Sequence, residues 1–538
     1  MWIVCWNGRE KDLLIILNGF LQGNKRERIK GIIVMNQRRW GAILSYVNIV
    51  ANVVVGLAYT PVMLRLLGQS EYGLYSLIGS MVGYLSVLDM GLGNTIVRYT
   101  AKNRVDGTPQ REAELNGLFL SVYSFIGLIC IGIGAIFYAN IDALFGETLT
   151  VGELYRAKIM MFLLVCNFAF SFPLSIFASI LNAYEKFIFL RVSNILRVII
   201  NPLLVLPFLY WGYGSVMMVV ISTLLNLTCL LANAFYCFRY LNVRFSRGHF
   251  EPVFLREIAA YSFFIFLNAI MDKVYWGTGQ FVLGIVSGTM QVAVYAIAMQ
   301  FMIMYMNFST AISGVMLPKV TMMVANKVDV SELSKLMTRI GRLQYLVIGY
   351  ICVMFFLVGR QFIHLWAGPD YIGAYPIVVL LMLALMIPLL QNVGIAILQA
   401  MNLNRYRMTV YSICAFFALL LSFPFARQWG GWGCAVATAG ALIVSTGVIM
   451  NRYYAKKIHL DIGMFWRNIL SLMKGSVLLL LIGFGLEFCL HFSLNWHNFI
   501  VLCTVDTLFY LVIMYKFCMN EDEKALCQQM RKKILRRA

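Results

Sequence analysis

The sequence predicts an all-α integral membrane protein: 14 transmembrane helices, arranged as two parallel six-helix lobes around a central cavity, plus two extra C-terminal helices. Three observations predict it. The first is composition. Of 538 residues, 61% are hydrophobic and 13% charged, with a mean hydropathy of +0.77, whereas a water-soluble domain carries about 25% charged residues. The second is a rhythm of fourteen apolar stretches, each near the roughly 20 residues that carry a helix across about 30 Å of hydrocarbon. The runs are unbroken, which excludes barrel strands, since those alternate every second residue. The third is an internal repeat of about 218 residues.

The spans fall at residues 41–64, 73–97, 115–138, 158–181, 189–209, 215–238, 259–285, 291–317, 343–359, 375–398, 408–426, 432–450, 469–490 and 499–515. Pro61, Pro173, Pro202, Pro207, Pro388 and Pro424 interrupt them and are expected to kink their helices. Residues 1–34 hold a short apolar run, Leu13 to Leu17, flanked by charges. It is too short to span and lacks a signal-peptide cleavage pattern. Met35-Asn36-Gln37-Arg38-Arg39 reads as a natural start, so residues 1–34 are expected to be an extension ahead of the true initiation site. Residues 35–238 then form an N-lobe with spans 1–6 and 239–258 an inter-lobe linker. Residues 259–452 form a C-lobe with spans 7–12, 453–518 carry spans 13 and 14, and 519–538 are a basic tail.

Loop charge orients the chain. Thirty-six of the 44 Lys and Arg lie in the two tails and the even-numbered loops. The odd-numbered loops hold only Arg65, Arg156, Lys158, Arg360 and Arg427, and Arg197, Lys273 and Lys474 lie inside spans. By the positive-inside rule both termini and all even-numbered loops are cytoplasmic. This accounts for the net charge of +20 without nucleic acid, and it suits a surface of anionic lipid headgroups. The 12 cysteines form no CxxC pair, and the five histidines, including His491 and His497, show no metal spacing. No disulfide framework or metal site is expected.

The repeat sets the topology. Gly68 and Tyr75 match Gly288 and Tyr295 at a shift of 220; Ile180-Leu181-Asn182-Ala183 matches Ile397-Leu398-Gln399-Ala400 at 217. Pro207 matches Pro424, and Gly212-Tyr213-Gly214 matches Gly431-Trp432-Gly433. Spans 1–6 thus pair with spans 7–12. Six is even, so the halves run parallel, and transporters built this way bind substrate between the halves.

A charge at the bilayer centre costs about 2.5–3.5 kcal/mol on insertion scales, so those that persist are candidates for function. Span 7 carries Asn268, Asp272 and Lys273; the repeat maps Asn268 to Asn48 and Asp272 to Asn52 in span 1. Equivalent helices with polar residues at equal depth suggest a cavity lined by both halves, the alternative being interhelical hydrogen bonds. Arg197, central in span 5, could ligate phosphate through its fork or pair with Asp89 or Asp272. In span 2, Ser76, Gly79, Gly83, Ser86 and Gly93 form a small-residue stripe, read as close helix packing. Glu487 and Asp506 lie near span ends or pair with each other.

Leu66-Leu67-Gly68, then Glu71-Tyr72-Gly73-Leu74-Tyr75, then Asp89-Met90-Gly91-Leu92-Gly93-Asn94 and Arg98-Tyr99 resemble the amino-terminal signature of bacterial polysaccharide transporters. These are the O-antigen-type flippases of the superfamily that also holds multidrug extruders and lipid II flippases. The resemblance covers residues 36 to about 518. It implies a V-shaped, two-lobed bundle in the bacterial cytoplasmic membrane. Such a protein moves an undecaprenyl-pyrophosphate-linked oligosaccharide to the outer leaflet by alternating access, for surface polysaccharide biosynthesis. It implies further that Arg197 and Lys273 meet the pyrophosphate and acidic sugars, with the lipid tail against spans 13 and 14. Asp272 or Asp89 would carry a coupling proton or sodium ion; no other cofactor is implied. A polysaccharide polymerase and a chain-length regulator would be partners. Only two deep basic residues is sparse for this family; either the glycan is weakly charged or basic residues at span ends reach in.

The alternative is a cation-coupled multidrug extruder of the same superfamily, which would favour acidic cavity residues and would not need spans 13 and 14. A membrane-embedded glycosyltransferase or polymerase is disfavoured. The predicted loops reach only about 25 residues, with no clustered carboxylates for acid–base work and no Gly-rich phosphate loop.

Overall fold

The computed structural model describes residues 24–246, 248, 252–313, 316–401, 403–490 and 495–535. Among these residues there is no strand. Span 1 is the helix Asn24–Leu67, which runs unbroken through Met35. Span 2 is Gln69–Gly83, continued by a 3-10 segment Tyr84–Asp89 and, past a break, by Leu92–Asp106. Spans 3 to 6 are Pro109–Ala139, Val151–Ala183, Phe187–Tyr210 and Ser215–Tyr240. Spans 7 to 9 are Pro252–Val286, Gly288–Ser313 and Val330–Trp366. Span 10 is the pair Ala374–Leu390 and Asn392–Ala400, and span 11 is Asn404–Trp429. Span 12 is Gly431–Leu442, followed by a π-helical stretch Ile443–Met450 and then Asn451–Lys457. Spans 13 and 14 are Ile462–Leu490 and Trp496–Ile513, and a last helix covers Glu521–Leu535.

Twelve helices among the described residues are long and apolar enough to cross a membrane, and the bent span 10 makes thirteen. The 35-residue helix Pro252–Val286 occupies the remaining predicted position, span 7. One expectation needs correction. Span 9 begins at Val330 rather than 343, because Leu333, Leu336, Met337 and Ile340 bury a stripe at helical spacing beneath the charges that masked it. Of the six span prolines, only Pro388 is followed by a break, a 40° bend at Gln391. The other five sit inside continuous helices.

The repeat is physical. Gly68 and Gly288, which open spans 2 and 8, both have φ of 78°, a left-handed turn that glycine alone adopts without strain. Three residues on, Glu71 and Gln291 do the same task. Glu71 Oε2 accepts from the backbone N–H of Ser215 at 3.2 Å, at the start of span 6. Gln291 Oε1 accepts from the N–H of Gly431 at 3.4 Å, at the start of span 12. Each thus satisfies a backbone donor that a helix start leaves open. Gly212 and Gly430 are both left-handed, which moves that match one residue from the Gly431 read in sequence. Helix pairing recurs too: 1 on 5, 3 on 4, 4 on 6 and 5 on 6 in the first lobe, and 7 on 11, 9 on 10, 10 on 12 and 11 on 12 in the second.

The lobes meet where span 2 packs on spans 7 and 8. Their hydrogen bonds cluster toward the end that carries the odd-numbered loops. Arg65 donates to the Leu365 carbonyl at 3.4 Å, Gln69 to that of Asp370 at 3.0 Å, and the Trp366 indole to that of Leu57 at 2.8 Å. Gln300 donates to Thr60 Oγ1 at 3.0 Å and Thr148 to the Gly284 carbonyl at 2.6 Å. The deepest is a 3.1 Å hydrogen bond shared by the hydroxyls of Tyr84 and Thr278.

Spans 13 and 14 lie outside the repeat and pack on span 9. At the even-loop end of span 9, Arg342 is buried with Glu523; their side chains are 4% and 6% exposed and Arg342 Nε lies 2.7 Å from Glu523 Oε1. Arg342 also donates to the carbonyls of Asn468 and Cys518 at 2.9 and 3.0 Å, and to Ser471 Oγ at 3.1 Å. All of its donors are spent, so the ion pair pins the terminal helix to spans 9 and 13. Removing one partner strands a buried charge, at about 3–5 kcal/mol. Arg342→Ala and Glu523→Ala should each lower the unfolding midpoint in detergent, and the double variant Arg342→Met/Glu523→Leu should recover most of the loss, measured by thermal unfolding.

Candidate functional site

A cavity of about 830 Å³ lies between the lobes. Its walls come from span 1 (Ile49, Asn52, Val53), span 2 (Tyr72, Ser76, Gly79, Ser80), span 7 (Gln280) and span 8 (Gln300, Met304, Asn307, Thr310 among others). The cross-lobe hydrogen bonds close it toward the odd-loop end. Toward the other end span 1 packs on span 5, where Gly41 meets Phe187, and leaves Trp40, Tyr46, Val47 and Val50 exposed. The polar lining is amide and hydroxyl, with no carboxylate among the described lining residues. Such groups bind hydroxyl-rich or amide-bearing ligands through hydrogen bonds, and they offer no charge to an organic cation.

The predicted residues divide. Asn52 lines the cavity and donates to Asn48, to its carbonyl at 2.7 Å and its Oδ1 at 3.3 Å, so the pair is tied along its own helix. The Asn268 side chain lies outside the described residues. Adjacent Asp272 and Lys273 diverge. Lys273 turns toward span 2, where its Nζ is 3.7 Å from the place a Gly83 Cβ would occupy. Asp272 turns toward Arg407 of span 11. Arg197 is not among the cavity-lining residues and meets neither Asp89 nor Asp272. Its Nη1 donates to Asn226 Oδ1 at 2.7 Å, and Asn226 Nδ2 donates to Asn167 and Ser171, both at 2.9 Å. Asp89 accepts from the Tyr123 hydroxyl at 2.8 Å. Asp506 is buried in span 14; Glu487 and His491 lie outside the described side chains, and His497 is exposed.

The small-residue stripe corrects one reading. Nothing lies within 4 Å of a Cβ built at Gly79, and with Ser76 and Ser80 it walls the cavity rather than packing a helix. Sequence reasoning also passed over Arg407, counted as a loop residue, and the uncharged Asn167 and Asn226, which carry no charge to flag them.

The motif residues build the joint between lobes. Gly73 lies so close to span 8 that a Cβ there would stand 1.9 Å from the Thr289 carbonyl oxygen. Beside it, Glu153 is held by a capping box with Thr150. One carboxylate oxygen accepts from the Thr150 amide and hydroxyl at 2.9 and 2.8 Å. The other accepts from Ser70 and, at 3.0 Å, from Thr289. Ser70 belongs to the first repeat and Thr289 to the second, so one carboxylate accepts from both. Glu71 also pairs with Arg156 at 2.6 Å, and Tyr72 meets Tyr371 edge-on at 6.4 Å. Met90 and Gly91 are both left-handed, which breaks span 2 after Asp89. Gly93 lets span 4 approach, with Ser179 Oγ 3.3 Å from a Cβ built there. Asn94 is exposed.

Residues 40–324 match the polysaccharide biosynthesis protein family. A Shigella flexneri protein provisionally named an O-antigen transporter is 20% identical over 385 residues, 69% of this chain and 87% of that protein. The fold resembles the lipid II flippase MurJ in an inward closed conformation, with TM-score 0.70, 16% identity and coverage of 88% of this chain and 98% of that one. It also resembles an inward-facing multidrug resistance MATE transporter of the MOP superfamily, with TM-score 0.63, 14% identity and coverage of 74% and 92%.

Gly73→Ala should wedge spans 2 and 8 apart. Overpacking costs about 1–3 kcal/mol, which shifts a two-state equilibrium about 5–150-fold. Oxidative cross-linking of cysteines placed at Thr60 and Gln300 should therefore fall in the Gly73→Ala background; undiminished cross-linking would show that the lobes do not depend on this contact.

Proposed function

This chain belongs to the polysaccharide biosynthesis protein family, and we propose that it is a flippase. Its cargo is an undecaprenyl-pyrophosphate-linked oligosaccharide, moved across the cytoplasmic membrane for O-antigen, capsule or exopolysaccharide synthesis. The observation that carries this reading is the 830 Å³ cavity between the repeats, which sets the amides and hydroxyls of Asn52, Ser76, Ser80, Gln280, Gln300, Asn307 and others among apolar side chains. Amides and hydroxyls can hydrogen-bond the hydroxyls of a glycan headgroup and apolar side chains can lie against its ring faces, while its lipid tail can stay in hydrocarbon. The same lining argues against a cation extruder, which would place carboxylates there. The reading is transport and not catalysis, in keeping with the family.

On this reading the even-loop end is cytoplasmic, as the distribution of Lys and Arg supports, and the structure is the inward-open state. The headgroup enters from the open end, with Lys273 at the edge of span 2 as the deep cation for pyrophosphate. The odd-loop joint then opens while the other end closes. Each state is stabilised only by what it binds better than the other. Coupling to a proton or sodium ion belongs to the same proposal. Asp272 has Arg407 and Lys273 acting on it, which opposes a sodium ion there. Asp89, bonded to the neutral Tyr123, is the better candidate. A polymerase and a chain-length regulator would act on the product.

Deletion of the gene should trap undecaprenyl-linked oligosaccharide on the cytoplasmic side, read by extraction and mass analysis of lipid-linked intermediates. Wild type should relieve it, and Lys273→Ala should relieve it poorly at equal protein abundance. Unchanged intermediates and unchanged surface glycan in the deletion strain would overturn the reading.

A further inference from the structure

A second pocket, of about 410 Å³, lies within the C-lobe, inside the range of small-molecule sites. Thr310 lines both this pocket and the central cavity, so the two adjoin. Backbone irregularity surrounds it. Span 10 breaks at Gln391, and the π-helical stretch of span 12 contributes Thr446 and Met450. Irregular backbone at membrane depth is tolerated where it lines a cavity, and π segments occur often at functional sites.

Two opposite charges face each other at one side. Asp272 and Arg407 flank a gap of about 80 Å³, closed by Met271, Met408 and Tyr411. They form no ion pair, and among the described residues neither has a hydrogen-bond partner. Arg407 sits over the Tyr411 ring, 5.7 Å from its centroid. That ring stacks on Tyr275 at 4.1 Å, and Trp276 lines the same pocket.

The chemistry selects the ligand. A guanidinium only donates and a carboxylate only accepts, so the bridging group must accept from one and donate to the other. A hydroxyl does both. Arg407 and Lys273 repel a free cation, and Asp272 repels a free anion. Aromatic walls suit the apolar face of a ring. We infer that this pocket is a carbohydrate subsite, in which the hydroxyls of one sugar residue bridge Asp272 and Arg407. The inference rests on the flippase reading and deepens it: the pocket selects which glycan is carried.

The test is protection from a membrane-permeant maleimide, followed peptide by peptide by mass spectrometry on the full chain in nanodiscs. The probe is the repeat-unit oligosaccharide released from the organism's own surface polysaccharide. Thr446→Cys reports on the C-lobe pocket and Ser80→Cys on the central cavity, both nearly isosteric. At a glycan concentration about three times its Kd, labelling of Thr446→Cys should slow about fourfold. Asp272→Asn or Arg407→Gln should raise the required concentration about tenfold. Arg407→Lys, which keeps the charge and loses the fork, should do the same. An unliganded labelling rate equal to that of the parent shows that each variant is folded. Protection at Ser80→Cys with none at Thr446→Cys would overturn the inference, leaving only water in the gap, while the flippase reading stands. Protection at neither site would overturn both. Protection at Thr446→Cys that is indifferent to Asp272→Asn and Arg407→Gln would overturn the bridging.

Discussion

One carboxylate holds the two halves together where they must meet. Glu153 is fixed by its own helix start and accepts from Ser70 and Thr289, one hydroxyl from each repeat. Gly73 makes that possible by letting span 2 lie against the backbone of span 8. With the lobes pinned at this end, the central cavity is the space between spans 1, 2, 7 and 8. The bonds involved are hydroxyl and amide contacts, each worth about 0.6 kcal/mol on average within a membrane. A set of such bonds is strong enough to choose which end is closed. It is also weak enough to be exchanged for another set when a ligand favours the opposite state.

The deep polar residues sort by whether their hydrogen-bonding capacity is spent. Arg342 uses every donor on Glu523 and neighbouring carbonyl and hydroxyl oxygens. Arg197 is engaged by Asn226, which in turn reaches Asn167 and Ser171 of span 4. Asp89 is engaged by Tyr123. These residues fasten helices. Asp272 and Arg407 are different, since each faces a cavity with its charge uncommitted. In hydrocarbon that arrangement is costly, and it makes sense where a ligand or water completes it.

Positions of the spans were legible because hydropathy records burial in lipid directly. The repeat was legible at Gly68 and Gly288 because a left-handed residue admits little but glycine, so backbone geometry leaves a mark on sequence. Partners were not legible. Nothing in the sequence tells Arg197 to choose Asn226 over Asp89, because that choice depends on which faces of spans 5 and 6 meet. Gly79 reads identically whether it packs a helix or walls a cavity; only the absence of a neighbour decides. Arg407 was hidden by its place near a loop, since a helix start can be as deep in a pocket as a helix centre. The extension of span 9 to Val330 was hidden by charges on the outer face of an otherwise buried helix.

The repeats share a backbone but distribute charge in opposite ways. Where the first lobe has Glu71, anchored by Arg156, the second has the neutral Gln291, which caps span 12 without a counter-ion. Where the second has Asp272, the first has Asn52. The irregular backbone is placed differently in each: the first lobe breaks span 2 at Met90 and Gly91, where the equivalent span 8 is one helix. The C-lobe breaks span 10 and unwinds span 12 into a π-helical stretch beside its pocket, whereas the equivalent spans 4 and 6 are continuous helices of 33 and 26 residues. A continuous helix with satisfied charges resists deformation, because packed helices shift between discrete arrangements rather than bending freely. A span with a broken backbone beside uncommitted charges can change shape at lower cost when something binds. Duplication therefore supplied two similar scaffolds, and divergence set where each can yield: at span 2 in the first half, and at spans 10 and 12 in the second.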